Sequence, residues 1–561
     1  MNRSEALASL TAVGQPYELV ELDVLGRRIR AFRNGPLNLR ELFEAAQSER
    51  TFLVYEDERM SFAEFWQRAH RFAGLLRDRY GVRRGDRVAI ALRNYPEWMI
   101  AFAAAVSAGA IAVAMNALWT RDEIAHAIDD CEPKVLVVDW ERLERLPAEG
   151  PRSAPVVLVA RNRSALPAWA MPFPPFADTS PDATAATLGD IAPDDDAIML
   201  YTSGSTGHAK GVLSTHRAVL SALLSWELDG AVAVLTGIAE RPSAEAPQTA
   251  ALLAIPLFHV TGLHAVFLSA VRAQRRVVSM YKWDPAVAAT LIERERVTSL
   301  IAPAAVTGDL VTYARRTDRD LSSLEIVGGG GAPRAPEQVR AIDAVFAKAA
   351  PATGWGMTET NAIGAGLAGP DYLAHPESSG QSSAVLDLRI VAADGQVVGP
   401  GVSGELQVRG ASLMRGYWRR PEANREVFQD GWMRTGDVAT LDGDGFVYIV
   451  DRIKDLVIRG GENIGCGGVE AALLEHPDVL EVSVYGVPDD RLGEEVGATV
   501  FVRADVDPAH FEPFLEGRLP RHERPRYVHV VLAPLPRTAS GKIAKRQLRS
   551  EALIRLGLAD S

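Results

Sequence analysis

Apolar residues at helical spacing and apolar residues at strand alternation follow one another along most of the chain. Residues 62–77 carry the spacing of a half-buried helix, and 86–92 the apolar density of a buried strand. The succession returns further on. Strands are expected at 251–256 and 299–302, and helices at 263–271 and near 337–348, where Val339, Ile342 and Val345/Phe346 share one face. Strands alternating with helices predict mostly parallel sheets covered on both faces. Two stretches break the pattern. Residues 1 to about 35 read as an extended lead-in, with 17–24 alternating at period two, and Pro-rich 151–176 reads as a surface connection. From about 378 to 450, short strands separated by Asp394-Gly395, Gly399-Pro400-Gly401 and Asp442-Gly-Asp-Gly445 predict an antiparallel, barrel-like unit. After Asp451, a helix at 469–475 and the alternation of Leu480, Val482 and Val484 with Glu481 and Ser483 predict a small α+β unit. The expected fold class is α/β, with a large domain at 1–451 and a small one at 454–561.

Residues 98–119 include no charged side chain, about the length that crosses a bilayer. The stretch breaks at Ala108-Gly109 and holds Ser107 and Asn116. It reads as a buried helix (98–107), a turn and a buried strand (110–115), so no integral membrane segment is expected. At 561 residues the chain exceeds a single core. Its net charge of −12 offers no basic field to nucleic acid. Cys131 and Cys466 cannot form a disulfide framework, and the polar, mixed-charge amino end predicts no signal peptide, so a cytoplasmic location is expected. Only seven of the 60 Lys and Arg residues are lysines, and Lys210, Lys454 and Lys542 stand in or beside glycine-bearing loops.

Tyr201-Thr-Ser-Gly-Ser-Thr-Gly-His-Ala-Lys-Gly-Val212 lies between two apolar runs that read as strands. Gly204 and its fellow glycines free main-chain N–H groups to approach an oxyanion. Thr202, Ser203, Ser205 and Thr206 add hydroxyl donors and Lys210 a mobile positive charge, which together make a phosphate cradle. It is not a Walker A loop, because Ala209 replaces the second glycine and Gly211 the magnesium-binding hydroxyl. Downstream, Val327-Gly-Gly-Gly-Gly-Ala-Pro333 follows a strand, and four consecutive glycines suit close approach of something flat to the backbone. Five further stretches follow or flank it: Pro256-Leu-Phe-His-Val-Thr-Gly-Leu-His264, Gly354-Trp-Gly-Met-Thr-Glu-Thr360, Arg434-Thr-Gly-Asp437, Asp451-Arg-Ile-Lys454 with Arg459-Gly-Gly461, and Pro536-Arg-Thr-Ala-Ser-Gly-Lys-Ile543.

In this order the motifs resemble those of the AMP-forming adenylating superfamily, which holds acyl-CoA synthetases, nonribosomal adenylation domains and luciferases. The resemblance covers roughly residues 45–550. It implies two mostly parallel α/β sheet subdomains and a small antiparallel β-barrel subdomain in the large domain, followed by a mobile carboxyl-terminal lid. It also implies that Thr202, Ser203, Gly204, Ser205, Thr206 and Lys210 hold phosphates, and that Gly331, Ala332 and Pro333 border the adenine. Gly354, Trp355 and Gly356 would complete the base site, with Trp355 stacking where the family usually has Tyr or Phe. Thr358 would bond phosphate and Glu359 would hold Mg²⁺. Asp437 would accept both ribose hydroxyls, and Arg452 would contact the nucleotide. His259 would gate an acyl pocket formed by Val260, Thr261, Ala302, Gly330, Ala362 and Ile363, with Leu263, Ala304 and Ala305 adding small or apolar surface. Lys454 would be the hinge, Gly460 and Gly461 would border the CoA path, and Lys542 would be the catalytic lysine. The chain departs from the family's pattern at Ala209, Trp355 and Gly465-Cys-Gly-Gly468.

The activity implied is that of a carboxylic acid:CoA ligase using ATP, Mg²⁺ and coenzyme A. Acid and ATP would give acyl-AMP and pyrophosphate, and acyl-AMP and CoA would then give acyl-CoA and AMP. The small, uncharged pocket positions suit an aryl, aryl-alkanoic, branched or medium-chain monocarboxylate, since none of them is an arginine that could meet a second carboxylate. Two alternatives stay open: a stand-alone adenylation enzyme that loads a carrier protein, and a non-catalytic homologue. The expected partners are the small-molecule acid and CoA, and the assembly considered is a homodimer.

Overall fold

The computed structural model describes residues 1–174, 188–202, 209–241, 243, 245–331, 334–460, 462–504, 506–537 and 543–558. One sheet runs in the order Gly416–Tyr417, Lys210–Thr215, Asp196–Thr202, Ile111–Ala114, Arg87–Ala91, Val135–Asp139, Val157–Ala160, Ala170–Pro172. Its strands from Asp196–Thr202 to Ala170–Pro172 are parallel, and the two at the other end are antiparallel. The Pro-rich stretch is therefore more than a surface connection. Its apolar centre forms the fully buried strand Val157–Ala160, because the prolines flank that run without interrupting it.

A second sheet has a parallel centre, in which Ala350–Trp355, Ile326–Gly328, Ser299–Ile301, Ala250–Leu253, Arg276–Ser279 and Thr51–Tyr55 lie side by side. The antiparallel strands expected from 378 onward continue this sheet through Ala365–Ala368 and Gly380–Ser382 to Phe446–Arg452, Trp432–Leu441, Gly404–Gly410 and Leu386–Val391. A third sheet, built on the long hairpin Val479–Asp489 and Gly493–Val502, lies in the carboxyl-terminal part. It packs the helix Cys466–Leu474 around Val469, Leu473, Val484 and Val500. A register shift between Val479 and Glu481 turns Leu480 outward, and from Val482 on the strand is buried on both faces, Ser483 included, so the expected alternation does not hold.

The uncharged run is the buried helix Pro96–Ser107 followed by the strand Ile111–Ala114, as its break at Gly109 requires. Among the described residues one helix, His216–Leu235, is long and apolar enough to cross a membrane, and more than half of its residues are buried within the fold. The amino end is not wholly extended. Residues Arg3–Thr11 form a helix started by a capping box between Asn2 and Glu5, a signal present in the sequence, and Leu19–Val24 then pairs with Arg27–Phe32. The expected helix after residue 261 is a π-helix, Thr261–Leu268, which continues as the α-helical turn Ser269–Arg272. Phe267 on it packs against Phe43, Phe52, Phe65 and Phe102, so the core carries the segment that leads out of the Pro256–His264 motif.

Candidate active site

Thr202 and Lys210 face each other as register partners at the ends of two antiparallel strands. Ser203, Gly204, Ser205 and Thr206, between them, lie outside the described residues, as do Ala332, Pro333, Gly461 and Lys542. Ala209 packs with Trp418 against an apolar cluster, which is a use for the methyl group at this departure from the family. The Lys210 ammonium stands 5.4 Å from the ring centre of Tyr417. The Tyr417 hydroxyl donates to Glu359 Oε1 at 2.9 Å. Burial pushes the Glu359 carboxyl up, while the Tyr417 bond and Arg452 pull it back. The sequence reading missed Tyr417, and only its place beside Gly416 in a strand of the first sheet brings it to Glu359.

Thr358 and Glu359 sit on the short 3-10 turn Thr358–Thr360. Asn361 and Ala362 follow in the left-handed region, at φ 55° and 70°. The turn is held from both sides. The wholly buried His264 donates from Nε2 to Asn361 Oδ1 at 3.0 Å, and Asn361 Nδ2 donates to the Ser412 carbonyl at 2.8 Å. Burial lowers the His264 pKa to about 4. His264 thus joins the motif that holds His259, Val260 and Thr261 to the turn that holds Glu359, Ala362 and Ile363.

Gly330 lies in the close approach expected of the glycine run, but the neighbour is main chain. A Cβ there would meet the Gly354 carbonyl oxygen at 2.1 Å, and one at Gly328 the Ala352 oxygen at 2.0 Å. Gly331 has φ +92°. Val260, Thr261, Gly330, Ala362 and Ile363 border one large cleft, together with His259, Ala304 and Ala305. Ala302 and Leu263 do not border it. Both are fully buried, Ala302 against the backbone of Gly329 and Leu263 in the core.

Trp355 ends its strand between Gly354 and Gly356 and is 8% exposed. Its Nε1 donates to Asp437 Oδ2 at 2.7 Å, and Arg452 Nε pairs with Asp437 Oδ1 at 3.0 Å. Asp437 and Arg452 are register partners across their hairpin, which explains how residues so far apart in the motif order meet. Beyond Arg452, Lys454 is exposed, and partial desolvation and then Arg452 lower its pKa. Asp451 Oδ2 accepts the Cys466 N–H at 2.6 Å, so the first helical residue of the glycine-rich departure is capped from the strand Phe446–Arg452 of the second sheet. Gly460 takes φ +61° beside Leu492. Arg537 and Ile543, the described residues on either side of the segment with Lys542, form a bridge, and Arg537 is ion-paired with Glu481.

Residues 42–418 match the sequence model of the AMP-binding enzymes, and residues 468–542 that of the AMP-binding enzyme C-terminal domain. The chain belongs to the AMP-binding enzyme family. Among its relatives, a feruloyl-CoA synthase of Amycolatopsis is 36% identical over 87% of this chain and 93% of its own length. An indoleacetate–CoA ligase of Aromatoleum aromaticum is 33% identical over 89% and 94%. The o-succinylbenzoate CoA synthetase of Bacillus subtilis, solved with its acyl-adenylate, superposes with a TM-score of 0.73 at 28% identity, over 92% of this chain and 98% of that one. This AMP-binding enzyme is an acyl-CoA synthetase, an AMP-forming acid–thiol ligase that works with ATP, Mg²⁺ and coenzyme A.

The site fits the metal. Among the described residues no group of three or more His, Cys, Asp or Glu side chains could hold an ion by itself. A magnesium ion bound through one carboxylate, with phosphate and water oxygens for the rest, needs no such group. Glu359 is that kind of carboxylate, since it is buried in the cleft and a neighbouring cation would offset the desolvation of its charge.

Proposed function

We propose that this AMP-binding enzyme activates a hydrophobic monocarboxylic acid of the aryl, aryl-alkanoic, branched or medium-chain kind, and does so in the cytoplasm. Lys210 and Glu359 meet through Tyr417, Asp437 joins Trp355 to Arg452, and His264 ties the turn of Glu359, Ala362 and Ile363 to the segment of Val260 and Thr261; this joining of separate motifs carries the reading. Feruloyl and indoleacetate, the acyl groups named for two relatives, support the aromatic end of the range.

An acid is a poor acyl donor because oxide would have to leave. Its carboxylate attacks the α-phosphorus of ATP, pyrophosphate leaves, and the mixed anhydride acyl-AMP forms. The CoA thiol then attacks the acyl carbon, and AMP leaves. Charge on the phosphoryl oxygens grows along the first step, so positioned cations and N–H groups lower its barrier. In this reading Thr202 to Thr206, Lys210 and Thr358 hold the phosphates. Trp355, with Gly354, Gly356 and Gly331 to Pro333, holds the base, Asp437 and Arg452 hold the ribose, and Lys542 bridges the carboxylate and α-phosphate. Magnesium, held by Glu359, would neutralise phosphate charge. The part from 454 to 561 turns about Lys454, withdraws Lys542 and brings Gly460 and Gly461 to the pantetheine path.

Pyrophosphate release with CoA, measured over a panel of acids, tests the substrate class. Cinnamate-like, arylacetate and medium-chain acids should far outpace dicarboxylates of equal length. A preference for dicarboxylates would reject the uncharged pocket. Thioester formed on a phosphopantetheinyl carrier and none on CoA would reject the acceptor.

A further inference from the structure

Trp355 uses more of its side chain than a stacking face. Its benzo ring fills the space over Gly364, where a Cβ would come within 2.3 Å of Cε3 and 2.5 Å of Cζ3. Position 364 therefore takes no side chain while the indole lies in this orientation. That orientation points Nε1–H at Asp437 Oδ2, 2.7 Å away, in a bond that is buried. Asp437 is 4% exposed, its main-chain N–H donates to Thr435 Oγ1, and Arg452 holds its other oxygen. With an N–H on one oxygen and a guanidinium on the other, the carboxylate cannot rotate without breaking a charge-assisted bond.

We propose that Trp355 is a positioning residue for Asp437, so that its indole N–H sets how strongly the enzyme tells a ribose from a deoxyribose. The inference rests on reading Asp437 as the ribose contact. Phenylalanine at this position would keep an aromatic face for the base and lose the donor. Oδ2 of the carboxylate would then lose its indole donor, and its fit to two adjacent hydroxyls would weaken.

The experiment measures initial rates of the full-length enzyme with ATP, 2′-deoxy-ATP and 3′-deoxy-ATP for wild type, Trp355→Phe, Asp437→Asn and the double variant. Trp355→Phe should raise KM for ATP about tenfold, the size of one hydrogen bond to a charged group, with kcat within about twofold of wild type. The preference for ATP over the deoxy analogues should fall by a similar factor. In the Asp437→Asn background the same substitution should leave that preference where it is, because the indole acts through the aspartate. A Trp355→Phe enzyme that keeps the wild-type preference, or that lowers it equally in both backgrounds, overturns the proposal. If Asp437→Asn itself keeps the wild-type preference, the ribose assignment fails, and the proposal fails with it for that separate reason. Should Trp355→Phe not fold, Trp355→Tyr removes the indole N–H while retaining more ring volume, and the same comparisons apply.

Discussion

Tyr417 is the residue on which two charged groups of the cleft converge, with Lys210 over its ring and Glu359 accepting from its hydroxyl. Removing that hydroxyl leaves a buried carboxylate with one donor fewer. Tyr417→Phe should lower kcat/KM for Mg·ATP about tenfold, through KM more than kcat. Unchanged saturation curves for Mg·ATP would show that the bond orients nothing. His264 makes a different prediction at the same scale. Its folded pKa of about 4 lies below the ordinary 6.5, so between these values the unfolded chain binds more protons. The stability that comes with the neutral ring is fully present above pH 6.5 and is lost as pH falls toward 4. The stability gap between wild type and His264→Gln should narrow by about 2 kcal/mol from pH 7.5 to pH 5 in urea unfolding. A gap that stays constant would mean that the ring titrates in the folded protein as it does in the unfolded one.

The turn at 358–362 shows how an element holds its functional residues. Asn361 and Ala362 adopt left-handed backbone, and Asn361 answers both His264 and Ser412. Asn361→Gly keeps the backbone freedom and loses both side-chain bonds, at a cost of roughly 2 kcal/mol. Asn361→Ala should cost about 1 kcal/mol more, because a Cβ is disfavoured at that φ. Equal urea midpoints for the two variants would show that the backbone there is unstrained. Elements also mark the limits of pattern reading. The strand Val157–Ala160 was hidden by neighbouring prolines, and Arg3–Thr11 by its weak apolar face, although Asn2 and Glu5 announced its start. The π-helix at Thr261–Leu268 has no periodicity of its own to read. There Gly262 lies against the carbonyls of Ile255 and Pro256, an approach that only the folded chain reveals.

At the scale of the molecule, the proposed mechanism has the two half-reactions make opposite demands on Lys542. Lys542→Ala should lower acid-dependent adenylate formation by about a hundredfold or more and largely spare thioester formation from supplied acyl-AMP. Single-turnover assays of each half-reaction check this, and an equal loss in both would contradict a turning carboxyl-terminal part. The folded molecule also fixes which motifs share a cleft. Lys210 and Glu359 are joined by Tyr417 from the edge of the first sheet, while Trp355 and Asp437 meet within the second.

By itself the sequence determined the alternation of strands and helices, the antiparallel change after residue 378, the order of the motifs and hence the family and its ATP chemistry. These are local in the chain, written in side-chain spacing and in short runs of glycine, hydroxyl and charge. Tertiary structure alone decided that Ala302 and Leu263 are core and not pocket, that Gly330 faces backbone, and that the indole of Trp355 bonds the carboxylate of Asp437. Such facts depend on which surfaces meet when sheets and helices pack. Partners as distant as 355 and 437 leave no mark in the spacing of either segment.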